Sequence, residues 1–402
     1  MKIKSNQENQ VLIGDPIHLH IETEALEKVF VYLRRYYYDG DIEFSFASYE
    51  PINGLVDTAH AKPIEGTYTK ADVSGLFWSQ ENIMMNYNDD LDKLCKLGEE
   101  DQGYFIFDVF QNDEHQVMKF EIIGQTDDVQ MIECDKIEGR LFYKEGQSQG
   151  IVIQVAGEEG IEGVEVNAKL LASKGIASLA LPICDYGTLK NEFSEVPLET
   201  VLNAIDYVKT LPFVDPNKIG LMGGTRGAEL VLKIASLRND IKLVVASNPC
   251  DVINQSVIKQ LLQSKSSWTL DGSPVAFSKV NKLNLLRIRF GRLIINNSQS
   301  MMNIYNHDDA IIDTSLISAK LLLIVGKHDQ RWDSLKMAKR IESKVDCQVN
   351  VYDAGQVLGG PGCLPTISMN RLAFSLGGTP EGNGISQNRS WHDIIEYIKT
   401  NL

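Results

Sequence analysis

Three residues, Thr225, Asp329 and Gln356, stand where side chains that do chemistry would be delivered, each just beyond a short apolar run. Lys218 to Ala235 reads K-I-G-L-M-G-G-T-R-G-A-E-L-V-L-K-I-A: an apolar run, glycines at 223, 224 and 227, then helical periodicity. Strand, sharp turn and helix in that order make a nucleophile elbow, G-x-S-x-G, which lifts a hydroxyl clear of the backbone. Here the residue at its tip is Thr225. A triad built on such an elbow follows the chain order nucleophile, acid, base. Leu321 to Asp329 (L-L-L-I-V-G-K-H-D) is a buried run ending in Gly-x-x-Asp, which offers Asp329 as the acid. The base belongs on the loop after the next strand, Gln348 to Tyr352, and Gln356 occupies that place. An oxyanion would be held by the backbone N–H of Arg226 and by one from the loop 156–160, placed here at Gly157. Such donors survive side-chain changes.

Two of these positions argue against the usual chemistry. The amide of Gln356 does not titrate near neutral pH and cannot take and return a proton. Losing general-base help costs about 10²–10⁴-fold in rate, and losing a coupled triad member about 10⁶-fold. At Thr225 a β-branched side chain is poorly suited to the positive φ of an elbow. Gly223 and Gly224 could relax the turn without restoring a base. His328 adjoins Asp329, but neighbours on a loop usually point apart. Cys184 and Cys250, beyond the runs ending at Leu181 and Ala246, fall near the rim of the site; a lone thiol there is more often a small hydrophobe than a nucleophile, with Cys250 the alternative nucleophile.

The elements that must position these residues fall into two styles. In the first third, Ile17, Leu19 and Ile21 alternate with polar residues, as do Val29, Val31 and Leu33, and again Ile42, Phe44 and Phe46. A hairpin runs from Tyr104 to Ile123 around residues 111–114. Period-two alternation without long helices predicts an antiparallel β-sandwich over residues 1–134, with Phe77 and Trp78 in its core. After Asp135 nearly continuous apolar runs (151–155, 176–181, 219–222, 243–246, 321–325) alternate with helical spacing at 198–208, 230–235 and 335–341. That is the pattern of strands buried on both faces in a doubly wound, mostly parallel sheet, an α/β domain over 135–402. Residues 251–317 break the rhythm and read as a cap excursion. Within it, Lys279 to Arg292 carries five basic residues and no acid. This is either an amphipathic strand with Leu286, Ile288 and Phe290 inward or a local site for a phosphorylated ligand.

Composition excludes several classes. A chain of 402 residues needs two or three domains, and its 43% hydrophobic and 23% charged content is ordinary for a globular protein. A net charge of −15 argues against phosphate-backbone contact, so no nucleic-acid partner is expected. The start M-K-I-K-S-N-Q-E-N-Q lacks an apolar leader, and no run approaches a membrane span. The six cysteines are scattered without a C-x-x-C pair, which suits reduced thiols of a cytoplasmic protein. No metal site or cofactor is expected, and His18 and His20 read as surface-facing on a strand.

Longer motifs give a resemblance. They are G-x-Y-x-x-x-D-x-x-G-L-F-W-S at Gly66 to Ser79, E-G-x-L-F at Glu138 to Phe142, and L-L-A-S-K-G-I-A-S-L-A-L at Leu170 to Leu181. E-V-P-L-E at Glu195 to Glu199, the elbow, Val325 to Ser334 and G-G-T-P-E at Gly377 to Glu381 complete the set. Along nearly its whole length the chain resembles the acyl-CoA thioesterase and bile acid-CoA:amino acid N-acyltransferase family. The resemblance implies an immunoglobulin-like β-sandwich followed by an α/β-hydrolase domain. It also implies cleavage of acyl-CoA thioesters, or transfer of their acyl group to an amino acid, through a serine or cysteine acyl-enzyme. Thr225 stands at the place of that nucleophile and Gln356 at the place of the histidine base; Asp329 matches. The expectation is a degenerate site, inactive or weakly active, binding an acyl-CoA or acyl ester. The alternatives are an active thioesterase or acyltransferase using Thr225 with an unrecognised base, and a non-enzymatic interaction scaffold.

Overall fold

The structure, a computed structural model, describes residues 1–36, 42–82, 99–146, 150–157, 160–258, 261–279, 308–360 and 376–402. One compact unit comprises residues 1–124 and 379–389. The other comprises 125–360, 376–378 and 390–402.

The first unit is built from β1 (Lys2–Ser5), β2 (Gln10–Leu12), β3 (Leu19–Glu22), β4 (Val29–Tyr36), β5 (Ile42–Tyr49), β6 (Leu55–Asp57), β7 (Glu65–Gly66), the helical turn α1 (Gly75–Trp78), β8 (Glu81–Asn82), β9 (Tyr104–Gln111) and β10 (Glu114–Ile123). A small sheet, β1-β3-β6, faces a larger one ordered β2-β10-β9-β4-β5-β7, with β8 also on β5. Leu19 and Ile21 from the small sheet pack with Val29, Val31, Leu33, Phe105 and Phe107 from the large one, which makes a sandwich. Burying each such side chain is worth about 1.5–3 kcal/mol. Phe77 lies in the same core, and Trp78 donates its indole N–H to Asp72 Oδ2 at 2.6 Å.

Strand β5 departs from the alternation expected of it. Ala47 and Tyr49, paired with Val31 and Val29, face the core, so Ile42, Phe44 and Phe46 belong to the opposite face. There Phe46 stacks on Tyr32 at 5.6 Å, and Tyr32 meets Phe110 edge-on at 5.8 Å. An aromatic cluster on the outer face carries the same period-two signal as a core face, so alternation alone leaves the phase open.

The second unit contains β11 (Gln130–Glu133), β12 (Arg140–Tyr143), β13 (Ile151–Val155), α2 (Glu162–Ser173), β14 (Ala177–Leu181), β15 (Val196–Pro197), α3 (Glu199–Val208), β16 (Ile219–Gly224), α4 (Arg226–Leu237), β17 (Leu243–Ser247), β18 (Gln255–Ile258), β19 (Leu261–Ser266), β20 (Trp268–Leu270), β21 (Ser273–Pro274), β22 (Lys320–Gly326), α5 (Ser334–Glu342), β23 (Cys347–Tyr352) and, from residue 390 on, α6 (Pro380–Asn401), whose first ten residues count with the first unit. Its main sheet runs β11-β12-β14-β13-β16-β17-β22-β23, with β12 antiparallel to both neighbours and all strands from β14 to β23 parallel. Because β11 pairs with β12, residues 130–133 belong to the second sheet and not to a first domain ending at 134. Strands β13, β14 and β17 are buried at every residue, as the continuous apolar runs require.

The order β14-β13-β16 means that the chain winds one way from β13 and then returns to continue on its other side. Ligands in open α/β sheets sit beyond the carboxyl ends of the strands at such a reversal. Here those ends lead to Gly157 after β13 and Thr225 after β16. In the described part of the excursion, β18 and β19 form a hairpin, and β20 joins β15 and β21 in a small sheet. Residues 280–292 of the basic stretch lie outside the described residues.

Candidate active site

The elbow forms because its glycines let two backbones touch. A Cβ on Gly227 would lie 2.5 Å from the Val155 carbonyl oxygen, and one on Gly223 would lie 2.5 Å from the Gly227 carbonyl carbon. Helix α4 can therefore start directly against the end of β13, bringing the first turn after Thr225 beside the strand that leads to Gly157. Thr225 itself sits at φ 51°, ψ −108°. Its glycine neighbours have not relaxed the turn: the non-glycine residue holds the strained conformation. Such conformations cost about 1–3 kcal/mol and persist only where surroundings impose them. One imposing contact is the bond from the Thr225 N–H to the Ser247 carbonyl, 2.9 Å. Arg226 begins α4, so its N–H is among those a helix leaves without an internal acceptor.

The acid and base loops are pinned to each other. The His328 N–H donates to Ala354 O at 2.9 Å, and the N–H groups of Gln330 and Gln356 both donate to Leu376 O, at 3.3 and 3.0 Å. Trp332, on the acid loop, donates its indole N–H to Asn248 O at 3.1 Å, and Asn248 Nδ2 reaches Leu358 O on the base loop at 3.3 Å. Since Ser247 also holds the Thr225 backbone, the end of β17 ties together the three loops that carry Thr225, Asp329 and Gln356.

Asp329 is 6% exposed, and its carboxylate is already occupied. Oδ1 accepts from the N–H groups of Arg331 (2.8 Å) and Trp332 (3.3 Å), and Oδ2 accepts from the Ser334 hydroxyl. Burial nevertheless dominates and pushes the carboxyl up to about 6. Gln356 is 5% exposed, and neither its Oε1 nor its Nε2 has a protein partner. Ser247 Oγ and Asn248 Oδ1 are likewise buried without one. His328 points away from Asp329, with its Nε2 2.8 Å from Asp353 Oδ1 at an exposed position. The Cys250 thiol is fully buried, donates to Val252 O, and is pushed strongly upward by burial, which makes it a poor nucleophile.

Behind the elbow lies a polar network that sequence reasoning missed. The Arg226 guanidinium pairs with Glu229 Oε2 at 2.5 Å, donates to Gln255 O and Ser267 Oγ, and lies over the Phe193 ring at 5.1 Å. Glu229, with 0% exposure, also accepts from Trp268 Nε1 (2.6 Å), Asn254 Nδ2 (2.7 Å) and Asn254 N (3.1 Å). Burial raises the Glu229 carboxyl, and the Arg226 charge opposes that rise. Through these bonds the elbow helix holds Asn254, Gln255, Ser267 and Trp268 of the excursion. An arginine three residues before an acid on a helix was the visible signal, though that spacing more often marks a solvent-exposed pair.

Strand order, elbow and the loops after β16, β22 and β23 define an α/β-hydrolase domain, preceded by a β-sandwich. The C-terminal region described as "BAAT / Acyl-CoA thioester hydrolase C terminal" matches residues 196–402, and "Acyl-CoA thioester hydrolase/BAAT N-terminal region" matches residues 15–121. The chain belongs to this acyl-CoA thioester hydrolase/BAAT family. It is 24% identical over 250 residues to acyl-coenzyme A thioesterase 2, mitochondrial, of Mus musculus, a match covering 60% of this chain and 52% of that protein. It is 27% identical over 263 residues to the Mus musculus bile acid-CoA:amino acid N-acyltransferase, covering 61% of each. In these matches the chain spans between half and two thirds of its relatives' length. Among solved structures, an acetyl xylan esterase from Paenibacillus sp. R4 aligns over 75% of this chain and 85% of its own at 15% identity, with a TM-score of 0.40. Among the described residues no helix is long and apolar enough to cross a membrane.

Proposed function

We propose that this chain keeps the acyl-thioester-binding scaffold of its family and has lost all or nearly all of its hydrolytic chemistry. The observation that carries this reading is Gln356, a buried amide without a protein partner on the loop where the base belongs. Asp329, in turn, spends its lone pairs on two backbone N–H groups and Ser334 rather than on an imidazole. Gln356, Ser247 and Asn248 present buried donors and acceptors that a bound carbonyl or thioester could satisfy, and an unmet buried polar group costs about 1–3 kcal/mol. The backbone N–H groups of Arg226 and Gly157 are proposed to face the acyl oxygen.

The test is a purified-protein assay over a panel of acyl-CoAs and simple esters, alongside calorimetric binding of the same acyl-CoAs. Binding without turnover is expected, with any residual hydrolysis unchanged by Thr225→Ala. Turnover abolished by Thr225→Ala would refute the reading. The double change Thr225→Ser, Gln356→His is expected to gain thioesterase activity, since the strand ends and the acid loop are in place.

One observation favours a second reading, an active acyl transfer through Thr225. Its strained φ of 51° is the conformation an elbow nucleophile needs, and it has not been relieved by a glycine. This reading requires a covalent acyl adduct on Thr225, visible by intact-protein mass spectrometry after incubation with acyl-CoA. Repeated absence of the adduct removes it.

A further inference from the structure

In the first unit, β3 and β6 bring together side chains that the acyl site does not use. His20 lies on β3 and His18 immediately before it, and their rings meet edge-on at 5.1 Å. Asp57 stands directly opposite His20 in the β3–β6 register. The ligating atoms of His18, His20 and Asp57 all lie within 4.8 Å of one another, and His20 Nδ1 is 3.9 Å from Asp57 Oδ2. His18 Nδ1 is buried and has no protein partner. The scaffold around these atoms is fixed. Asn6 clamps the His18 backbone, accepting from its N–H at 2.8 Å and donating to its carbonyl at 3.3 Å. The Ala59 N–H holds Asp57 Oδ1 at 3.0 Å, and His60 Nδ1 lies 2.9 Å from Asp57 Oδ2.

We propose that His18, His20 and Asp57 form a binding site for a zinc-class divalent cation, with His60 supporting Asp57 from outside. Two imidazoles and one carboxylate suit zinc, cobalt, nickel or copper rather than magnesium or calcium, which take mainly oxygen ligands. Tetrahedral zinc, with bonds of about 2.0–2.1 Å, sets its ligand atoms about 3.3 Å apart. The 3.9 Å separation already approaches this, and rotamer adjustment closes the remainder. Lys4, opposite His20 on β1, does not block the site with its charge, because its ammonium is taken up by Glu22 Oε1 at 3.0 Å. Three protein ligands leave a fourth position for water, and the site joins β3 to the turn at residues 57–60. The two histidines, expected to face the surface, are half-buried, and strand alternation misses the carboxylate because that arrives from a different strand.

The test uses tag-free, full-length protein stripped with a chelator and titrated with Zn²⁺ by calorimetry and metal analysis. One zinc per chain is expected, with a rise in melting temperature. His18→Ala and Asp57→Asn should each weaken binding at least a hundredfold, and His60→Ala by about 10–100-fold, as for an outer-shell partner. Cobalt substitution should give visible absorption bands of a low-coordinate site that disappear in His18→Ala. Circular dichroism of each variant, compared with wild type, separates loss of the site from loss of the fold. Less than stoichiometric zinc on the wild-type chain, or stoichiometric zinc retained by a folded His18→Ala, His20→Ala double variant, overturns the proposal.

Discussion

Replacing Asp329 by asparagine keeps the size of the side chain and removes its charge. Burial holds the Asp329 carboxyl at about 6 in the folded chain, against an ordinary 3.8, despite the donors on both oxygens. Between those values the folded chain binds more protons than the unfolded chain. The stability contributed by this group is therefore complete below about pH 4 and is lost as pH rises through about 6. Roughly two pH units at about 1.4 kcal/mol each make the ionised carboxylate cost about 3 kcal/mol above that window. An asparagine can meet the same partners without charge, its Oδ1 accepting from the Arg331 and Trp332 N–H groups and its Nδ2 donating to Ser334 Oγ. Asp329→Asn should then match the wild type near pH 4 and exceed it by up to about 3 kcal/mol near pH 8. Urea unfolding at several pH values, followed by tryptophan fluorescence, measures this directly, since Trp332 is bonded to the same carboxylate. A variant less stable than wild type near pH 8, or one with an unchanged pH profile, would show that the donors and not burial control Asp329. The result also bears on function. An acid that serves a histidine must be ionised at working pH, and with its carboxyl at about 6 Asp329 is ionised above that value only at a cost in stability.

Two further changes probe the elbow. Arg226→Ala leaves Glu229 buried without its cation, and should cost about 3–5 kcal/mol in chemical denaturation. Adding Glu229→Gln should recover part of that loss, because a neutral amide needs no counter-charge; no recovery would mean that the packing of Arg226 on Phe193 and Trp268 matters more than its charge. Thr225→Gly relieves the strained backbone at φ 51° but loosens the unfolded chain by about 0.5–1 kcal/mol, for a net gain of about 1 kcal/mol in thermal unfolding. A lower melting temperature in that variant would show that the threonine side chain makes a contact worth more than the strain.

What the sequence by itself determined about this protein is local and periodic. Gly223 and Gly227 declared the elbow, because only residues without a Cβ let α4 start against β13. The apolar runs at 151–155, 243–246 and 321–325 declared a sheet covered on both faces. The identities of Thr225 and Gln356 already set the chemistry in doubt, since proton transfer depends on residue type before it depends on geometry. Tertiary structure decided what separate segments do to one another. It set the phase of β5, where an outer aromatic cluster imitates a core face. It buried Glu229 against Trp268 and Asn254, and it enclosed Asp329 deeply enough to push its carboxyl up to about 6. It also placed Asp57 beside His18 and His20. Burial and charge neighbourhood come from chain segments far apart in sequence, and no local pattern records which segments will meet.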